Sequence, residues 1–364
     1  MKIDGRPWRP IWLEADGGRV GIIDQTLLPH RFETRSLATL DGAAHAIAAM
    51  QVRGAPLIGA TAAYGVALAM AEDAGDGVLD RAVAVLAATR PTAVNLRWAL
   101  DRMDRHLRPL APGERREAAY AEAARLVEAD VAANAAIGRH GLELVRAAAR
   151  RRGPGWPVRI LTHCNAGWLA TCDWGTALAP IYMAHDAGIP LHVWVDETRP
   201  RNQGAALTAW ELLAHGVPHT VVADNAGGHL MQRGLVDLCI VGADRVTAAG
   251  DVANKIGTYL KALAARDSGV PFHVAVPSST IDWTIEDGIA GIPIEERSAD
   301  EVRHIQGMAE DGRVLSVRLV PDGSPAANPA FDVTPARLVD GLITERGRCA
   351  ATAAGLRGLF PDHS

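Results

Sequence analysis

The chain has 364 residues, which is enough for about two domains of ordinary size. Its hydrophobic share of 48% and charged share of 22% are typical of a globular protein and exclude a disordered one. The net charge of −5 argues against nucleic acid as the main partner, because neutralising phosphates needs a concentrated basic face.

Cysteine usage and apolar stretches bear on the compartment. The four cysteines are scattered, with no Cys-x-x-Cys pair, which argues against a disulfide scaffold and a zinc knuckle. The first residues have no apolar core of the kind that a signal peptide requires. Residues 54–71 are uncharged but built mostly from Ala and Gly, which favours a buried central helix over a membrane span. We therefore expect a cytoplasmic protein with no membrane partner.

The first part of the chain changes from strands to helices. Residues 8–13 and 20–23 flank Asp16-Gly17-Gly18, which predicts a hairpin. From residue 41 to residue 152 the pattern is helical, with breaks near residues 53–56, 75–77, 90–91 and 112–113. We predict an N-terminal domain, residues 1–152, with a small antiparallel sheet and a helical bundle.

A Gly/Pro-rich joint at residues 152–157 predicts the domain boundary. Beyond it, apolar runs alternate with helix-like segments, which is typical of a parallel sheet with helices on both faces. The runs are residues 158–162, 191–195, 220–223, 238–241 and 272–276, and the helical segments are residues 175–187, 204–215, 227–234 and 252–267. We therefore predict an α/β fold with a C-terminal Rossmann-like catalytic domain, residues 153–364.

After Ser278 the alternation of apolar runs and helical segments becomes weak. Residues 314–320 predict a last strand, and Thr334-Pro335 predicts the start of a closing helix. Residues 281–313 fit a loop, a dimer contact or a lid over the site equally well.

Polar residues follow the apolar runs, and ligands bind outside the carboxyl ends of parallel strands. Cys164 follows the first run, and we favour a functional thiol there over an ordinary buried one. Its neighbour His163 points to the opposite face of a strand, which argues against a Cys–His dyad. Asp244 follows the fourth run, where capping the next helix or pairing with Arg245 is an equally good explanation. The helix after it is predicted to start near residues 250–255.

Two arginines indicate an anionic ligand. Arg53 precedes Gly54-Ala55-Pro56, where main-chain N–H groups and a guanidinium can share one phosphate. Arg90 precedes Pro91 in a similar setting, also at a predicted helix start. The chain lacks both Gly-x-Gly-x-x-Gly after the first run and Gly-x-x-x-x-Gly-Lys-Ser/Thr, which weakens nicotinamide and nucleoside triphosphate interpretations.

Seven strings along the chain carry a resemblance to a known family. They are Arg-Gly-Ala-Pro-Leu-Ile-Gly-Ala from Arg53, Arg-Pro-Thr-Ala-Val-Asn-Leu from Arg90, Leu-Thr-His-Cys-Asn-Ala-Gly from Leu161, Val-Asp-Glu-Thr-Arg-Pro-Arg-Asn-Gln-Gly-Ala from Val195, Gly-Ala-Asp-Arg from Gly242, Gly-Asp-Val-Ala-Asn-Lys-Ile-Gly-Thr-Tyr from Gly250 and Asn-Pro-Ala-Phe-Asp-Val-Thr-Pro from Asn328. In this order they resemble the methylthioribose-1-phosphate isomerase family. That family is related to the regulatory subunits of the eukaryotic translation initiation exchange factor, which generally lack the catalytic Cys and Asp pair.

The resemblance implies an activity and a set of site residues. It implies conversion of 5-methylthioribose 1-phosphate to 5-methylthioribulose 1-phosphate in methionine salvage, by a homodimer without metal or organic cofactor. Cys164 and Asp244 would be the catalytic pair. The residues implied around the substrate are Arg53, Gly54, Ala55, Arg90, Gln203, Asn254 and Lys255. Two positions depart from the family pattern: Asn202 stands where a leucine is common, and Ala206 where a larger residue is common. The departures leave the chemistry intact and bear on substrate preference.

The implied roles make physical demands on the two residues. A 1-phosphate locks the sugar ring, so Asp244 must hold a proton near neutral pH in order to protonate the ring oxygen. Cys164 as thiolate would then move a proton from C2 to C1, which requires a positive field from Lys255, the arginines or helix N-termini. The alternative is a direct hydride shift in which Cys164 only stabilises the transition state.

The sequence is also compatible with other functions. The same site fits 5-deoxyribose 1-phosphate, and less well ribose 1,5-bisphosphate, which needs another cation near C5. A non-catalytic regulatory subunit is a different class, in which replacing Cys164 or Asp244 would leave any activity unchanged.

Overall fold

The computed structural model describes residues 1–3 and 5–363. Its N-terminal strands form two small antiparallel sheets. These strands are β1 Lys2–Ile3 and β2 Arg6–Pro7, which pair with each other, and β3 Ile11–Leu13, β4 Val20–Ile23 and β5 Thr34–Leu37. The turn between β3 and β4 is closed by Asp16, whose Oδ1 accepts hydrogen bonds from the N–H groups of Gly18 and Arg19. The predicted hairpin is confirmed.

The helices that follow break where the sequence predicts. They are α1 Leu40–Ala48, α2 Ala55–Glu72, α3 Asp76–Thr89, α4 Val94–Leu107 and α5 Pro112–Arg152. Helix α2 lies at the centre, and 78% of it is buried inside the protein, so its apolar length belongs to a core helix. Burial on all sides explains why Ala and Gly predominate, since small residues let neighbouring helices approach closely.

Helix α5 connects two hydrophobic cores. Leu126 and Val127 pack with α2 in the first core, while Ile137 and Val145 belong to a second core beside the main sheet. The helix ends at Arg152, and Gly153 follows with φ 87°, a conformation that favours glycine. The division into domains at residues 152 and 153 stays a prediction.

The remainder of the chain alternates strands and helices. The strands are β6 Val158–Thr162, β7 Leu191–Asp196, β8 His219–Val222, β9 Leu238–Val241, β10 Arg245–Thr247, β11 Val252–Lys255, β12 Phe272–Ala275, β13 Ile281–Asp282, β14 His304–Met308, β15 Val314–Arg318, β16 Phe331–Thr334, β17 Gly341–Thr344 and β18 Gly347–Cys349. The helices are α6 Ala179–Asp186, α7 Ala209–His215, α8 Ala226–Gln232, α9 Thr258–Ser268, α10 Gly288–Gly291, α11 Asp300–Arg303 and α12 Ala353–Leu359.

The main sheet confirms the predicted parallel architecture. Its strand order is β18–β17–β12–β9–β6–β7–β8, and the strands pair in parallel except β18, which is antiparallel to β17. Successive side chains reach opposite faces: Ile160 packs in the core with α5 and α6, and Leu161 in the core with α9 and α12. Both faces are therefore covered.

A second sheet corrects the predicted helix over residues 252–267. Its order is β13–β10–β11–β16, and β11 occupies residues that the sequence assigned to a helix. Helix α9 begins only at Thr258, after Gly257 with φ 102°. The carboxylate of Asp332 accepts hydrogen bonds from the N–H groups of Gly257 (2.7 Å) and Tyr259 (3.1 Å) and so caps this later start. Asn254 and Lys255 therefore lie on a strand.

The C-terminal predictions were wrong in two places. Strand β15 pairs with β14 in a separate hairpin, and the last strands of the main sheet are β17 and β18. Thr334 ends strand β16, and Pro335 precedes a single 3₁₀ turn over residues 336–338 instead of a helix. The closing helix α12 is capped by Thr352, whose Oγ1 accepts from the N–H of Gly355 at 3.0 Å.

Candidate active site

One cavity at the carboxyl edge of the main sheet collects every residue that the sequence assigned to the site. The N-terminus of α2, the ends of β6 and β9, and strand β11 form its walls. The assigned residues that line it are Arg53, Gly54, Ala55, Arg90, Cys164, Gln203, Asp244, Asn254 and Lys255. Their roles in binding and catalysis stay predictions.

Cys164 sits two residues after β6 in a left-handed backbone conformation, with φ 66°. Two threonine hydroxyls hold this conformation. The N–H of Cys164 donates to Thr198 Oγ1 at 2.8 Å, and its carbonyl accepts from Thr208 Oγ1 at 2.7 Å. A non-glycine residue with positive φ costs on the order of 1 kcal/mol, so such conformations persist where their surroundings over-determine them and cluster at functional sites.

The thiol of Cys164 is only 8% exposed, and burial raises its pKa. The positive charges of Arg53 and Lys255 oppose this shift, while the negative charge of Asp244 adds to it. The expected positive field is therefore present, but desolvation outweighs it. Because the pKa of the thiol is raised, its thiolate is a stronger base than that of an exposed cysteine.

Asp244 follows β9, and its main-chain N–H donates to the carbonyl of Ala253 at 2.9 Å. Burial raises the pKa of its carboxyl group, against the opposing charges of Lys255, Arg90 and Arg53. The pKa of Asp244 is therefore shifted upward, which is the direction that a carboxylic acid must have to keep its proton.

Neither alternative explanation of Asp244 holds. A strand, β10, follows it instead of a helix that needs a cap. The guanidinium of Arg245 pairs with Asp282 at 3.2 Å and donates to the carbonyl of Thr92 at 2.7 Å.

Lys255 and Asn254 reach the cavity from β11. The ammonium group of Lys255 donates to the carbonyl of Ala330 at 2.8 Å and lies 4.5 Å from the ring centroid of Phe331. Burial lowers the pKa of Lys255, opposed by Cys164 and Asp244. The amide of Asn254 donates to Thr258 Oγ1 at 3.0 Å.

The opposite wall presents donors suited to an anion. Gly54 precedes the 18-residue helix α2 with φ 93°, and a Cβ there would lie 2.3 Å from the carbonyl oxygen of Ala170. Only glycine fits such a backbone. Arg53 is fixed beside it, because its guanidinium donates to Asn165 Oδ1 at 2.5 Å and to the Asn165 carbonyl at 2.8 Å. The helix N-terminus and the guanidinium thus converge as the sequence predicted.

Arg90 lines the cavity as predicted, but its place relative to the helices differs from the prediction. It ends α3 instead of starting a helix, and its guanidinium pairs with Glu295 at 2.9 Å. Glu295, Ile292 and Pro293 belong to the segment that the sequence left without an account, and the last two line the cavity. This segment therefore forms part of the site wall. Sequence reasoning missed it because it lacks a regular apolar period.

His163 forms no dyad with Cys164. Its Nδ1 lies 2.9 Å from Asp196 Oδ2 and its Nε2 lies 2.8 Å from the carbonyl oxygen of Ile256, so both ring nitrogens are committed elsewhere. The expectation from strand geometry is confirmed.

One cluster has the composition of a metal site. His163, Asp196 and Asp224 offer ligand atoms within 4.8 Å of one another. However, the ammonium group of Lys261 lies 3.2 Å from Asp196 Oδ2, and Asp224 accepts the main-chain N–H of Thr198 at 2.7 Å. Because a lysine already balances the charge, this donor set does not fit a metal ion. Metal independence as such stays a prediction.

The fold and the site together define an α/β protein with a cavity for a small anionic ligand. Residues 51–351 match the model of the initiation factor 2 subunit family. A relative named methylthioribose-1-phosphate isomerase from Methylorubrum populi is 67% identical over 362 residues, covering 100% of this chain and 99% of that protein.

Solved structures agree with this match. The 5-methylthioribose 1-phosphate isomerase of Pyrococcus horikoshii superposes with a TM-score of 0.83 at 40% identity, over 98% of this chain and 97% of that one. The translation initiation factor eIF-2B subunit delta of A. fulgidus superposes with a TM-score of 0.79 at 37% identity, over 98% and 100%. The chain belongs to the methylthioribose-1-phosphate isomerase family, within the broader initiation factor 2 subunit family.

Proposed function

We propose that the chain converts 5-methylthioribose 1-phosphate to 5-methylthioribulose 1-phosphate, an intramolecular aldose–ketose isomerisation in methionine salvage. The observation that carries the proposal is the shared cavity, which is lined by Cys164, Asp244 and the N-terminus of α2. Relatives that are 67% identical over the full length bear the name of this activity.

Asp244 is the proposed general acid. It donates its proton to the ring oxygen, the bond from that oxygen to C1 breaks with its electron pair going to the oxygen, and C1 becomes an open-chain oxocarbenium ion stabilised by the ester oxygen of the phosphate. A carboxyl group whose pKa is raised by burial keeps the proton that this step consumes. The proton lost from the C2 hydroxyl later in the reaction restores the acid.

Cys164 is the proposed proton carrier between the two carbons. Its thiolate removes the C2 proton, which gives an enol phosphate with a C1–C2 double bond. The thiol then returns the proton to C1 as the C2 hydroxyl becomes the ketone. A buried thiolate with a raised pKa is a strong base, which suits removal of a carbon-bound proton.

The phosphate is proposed to bind at Arg53, Gly54, Ala55 and Arg90. Among the described residues, Nε of Arg90 is buried without a protein partner, which supports a ligand there because buried donors are normally paired. Oε1 of Gln203 is likewise buried and without a protein partner, which supports an acceptor role toward a sugar hydroxyl.

The route between C2 and C1 is tested by turnover in heavy water. Proton transfer through Cys164 introduces deuterium at C1 of the product, because the thiol proton exchanges with solvent. A direct hydride shift leaves C1 free of solvent deuterium. In that case Cys164 only stabilises the transition state.

Turnover of three purified sugar phosphates tests the function itself. We expect the highest kcat/KM with 5-methylthioribose 1-phosphate, lower kcat/KM with 5-deoxyribose 1-phosphate, and the lowest with ribose 1,5-bisphosphate. The likeness to an initiation factor subunit favours a regulatory protein as the second candidate. That candidate predicts turnover of none of the three.

Four further properties belong to the proposal: oligomeric state, compartment, partners and cofactors. The enzyme acts as a homodimer in the cytoplasm, without nucleic-acid or membrane partners, and needs neither metal nor organic cofactor. Sedimentation analysis at micromolar concentration is expected to give twice the chain mass. Dialysis against a chelator is expected to leave kcat unchanged, and loss of activity that a divalent ion restores would contradict metal independence.

A further inference from the structure

A buried carboxyl group outside the cavity holds several parts of the site together. Glu211 lies on α7 and is 0% exposed. Its oxygens accept four hydrogen bonds, two at each oxygen, and every partner is a donor. The donors are Asn165 Nδ2 (2.8 Å) and the N–H of Leu169 (3.1 Å) at Oε1, and the N–H of Trp168 (2.8 Å) and the hydroxyl of Tyr182 (2.7 Å) at Oε2.

The contact with Asn165 determines which way that amide points. Because Nδ2 donates to Glu211, Oδ1 is turned toward Arg53 and accepts from its guanidinium at 2.5 Å. The second guanidinium nitrogen reaches the carbonyl of the same asparagine at 2.8 Å. A flipped amide would present a donor to the Arg53 guanidinium and an acceptor to the Glu211 carboxylate, so neither contact could form. The orientation of Arg53 in the cavity therefore depends on Glu211.

The same carboxylate secures the chain that follows Cys164. A Cβ at Gly167 would lie 1.9 Å from Glu211 Oε2, so this loop closes tightly on the carboxylate. Thr208 adds a second link, since its hydroxyl donates to the Cys164 carbonyl at 2.7 Å and accepts from Asn165 Nδ2 at 3.2 Å.

We propose that Glu211 is a positioning residue of the isomerase, which orients Arg53 through Asn165 and fixes the main chain at Cys164 without touching the substrate. The inference rests on the proposed function. It adds to the site a residue that lies in none of the sequence motifs of the resemblance. Four donors favour the ionised carboxylate. Burial raises the pKa of Glu211, and its hydrogen bonds oppose that shift.

The test variant is Glu211→Gln. Its amide nitrogen must face either the Asn165 and Leu169 donors or the Trp168 and Tyr182 donors, so at least one main-chain N–H loses its acceptor. We expect KM and the Kd of inorganic phosphate, measured by calorimetry, to rise about 10- to 100-fold, with a smaller fall in kcat. In an Arg53→Lys background the same change is expected to have a much smaller effect on Kd, because the residue it orients is already altered.

Tyr182→Phe is the matched control. It removes one donor from the Oε2 side and leaves the relay through Asn165 in place. We expect a lower Tm with kcat/KM within about twofold of the parent, since only one buried hydrogen bond is lost.

A merely structural role of Glu211 gives a different result. If Glu211→Gln lowers Tm but leaves KM and the phosphate Kd unchanged at a temperature where it is folded, the inference is overturned. If Glu211→Gln does not fold, Asn165→Ser removes the relay together with the 3.2 Å contact to Thr208, and an unchanged phosphate Kd in that variant overturns it equally. Phosphate binding does not depend on turnover. Failure of this inference can therefore be distinguished from failure of the proposed isomerase activity.

Discussion

The two walls of the cavity differ in the kind of group that they present. The helical wall offers a guanidinium at Arg53 and main-chain N–H groups at the start of α2, which bind anions and transfer no protons. The sheet wall offers Cys164, Asp244 and Lys255, whose pKa values burial has moved away from their ordinary values. Binding and proton transfer are therefore assigned to different parts of the chain, and substitutions on the two walls are expected to affect different kinetic constants.

Asp244→Asn is expected to have the largest effect on the sheet wall. Asparagine keeps the size of the side chain but has no acidic proton, so kcat is expected to fall about 10²- to 10⁴-fold. Inorganic phosphate binding is expected to stay near the parent value. Asp267→Asn, an exposed change on α9, controls for the lost charge. Turnover near the parent level in a folded Asp244→Asn protein would contradict the assignment of proton transfer to the sheet wall.

The pH profile distinguishes the two routes on this wall. Proton transfer needs a protonated Asp244 and an ionised Cys164. Both pKa values are raised, and a plot of kcat/KM against pH is then bell-shaped, with its maximum between them. Below the lower pKa and above the higher one, kcat/KM falls about tenfold per pH unit. A hydride shift needs only the protonated acid, so kcat/KM stays high at low pH and declines as pH rises through the pKa of Asp244. Stopped assays across the range in which the protein stays folded separate these outcomes.

Arg53→Lys tests the helical wall. Lysine keeps the charge but loses the two-pronged contact with Asn165, so KM is expected to rise about tenfold with little change in kcat. Arg35→Lys, at a half-exposed arginine paired with Asp24, serves as the control. A fall in kcat at constant KM would show that the two walls are not separable in this way.

Gly54→Ala is expected to have the smallest effect, on stability and phosphate affinity. The new Cβ would lie 2.3 Å from the Ala170 carbonyl oxygen in a backbone with φ 93°, so the α2 N-terminus must shift. We expect a loss of about 1–3 kcal/mol in the free energy of unfolding. Gly77→Ala on α3, where a Cβ meets nothing within 4 Å, is expected to be neutral or slightly stabilising.

Much of this site was predictable because its residues follow simple local signals. Cys164 and Asp244 come two and three residues after continuously apolar runs, and strand ends of a parallel sheet meet at one edge. Arg53 precedes a glycine and a proline that start a helix. These signals use only neighbours in sequence, and the structure confirms the elements that they predict.

The failures involve partners far away in sequence. Residues 252–257 have a helix-like composition, but Asp332 on the neighbouring strand β16 caps the later start of α9. Glu211 and Glu295 are single acidic residues without a motif, and only the tertiary structure brings them to Asn165 and Arg90. Residues 314–320 are predicted as the last strand, yet β15 pairs locally with β14, and four of its five residues are exposed.

The central claim is that the Cys164 thiol acts on the substrate whose phosphate the helical wall binds. The most direct measurement is kcat of Cys164→Ser on 5-methylthioribose 1-phosphate, with Tm and phosphate Kd measured on the same preparation and Cys349→Ser as control. We predict a loss of at least about 100-fold in kcat, with Kd unchanged and the control active. A folded Cys164→Ser protein that turns over the substrate at the parent rate would contradict the claim.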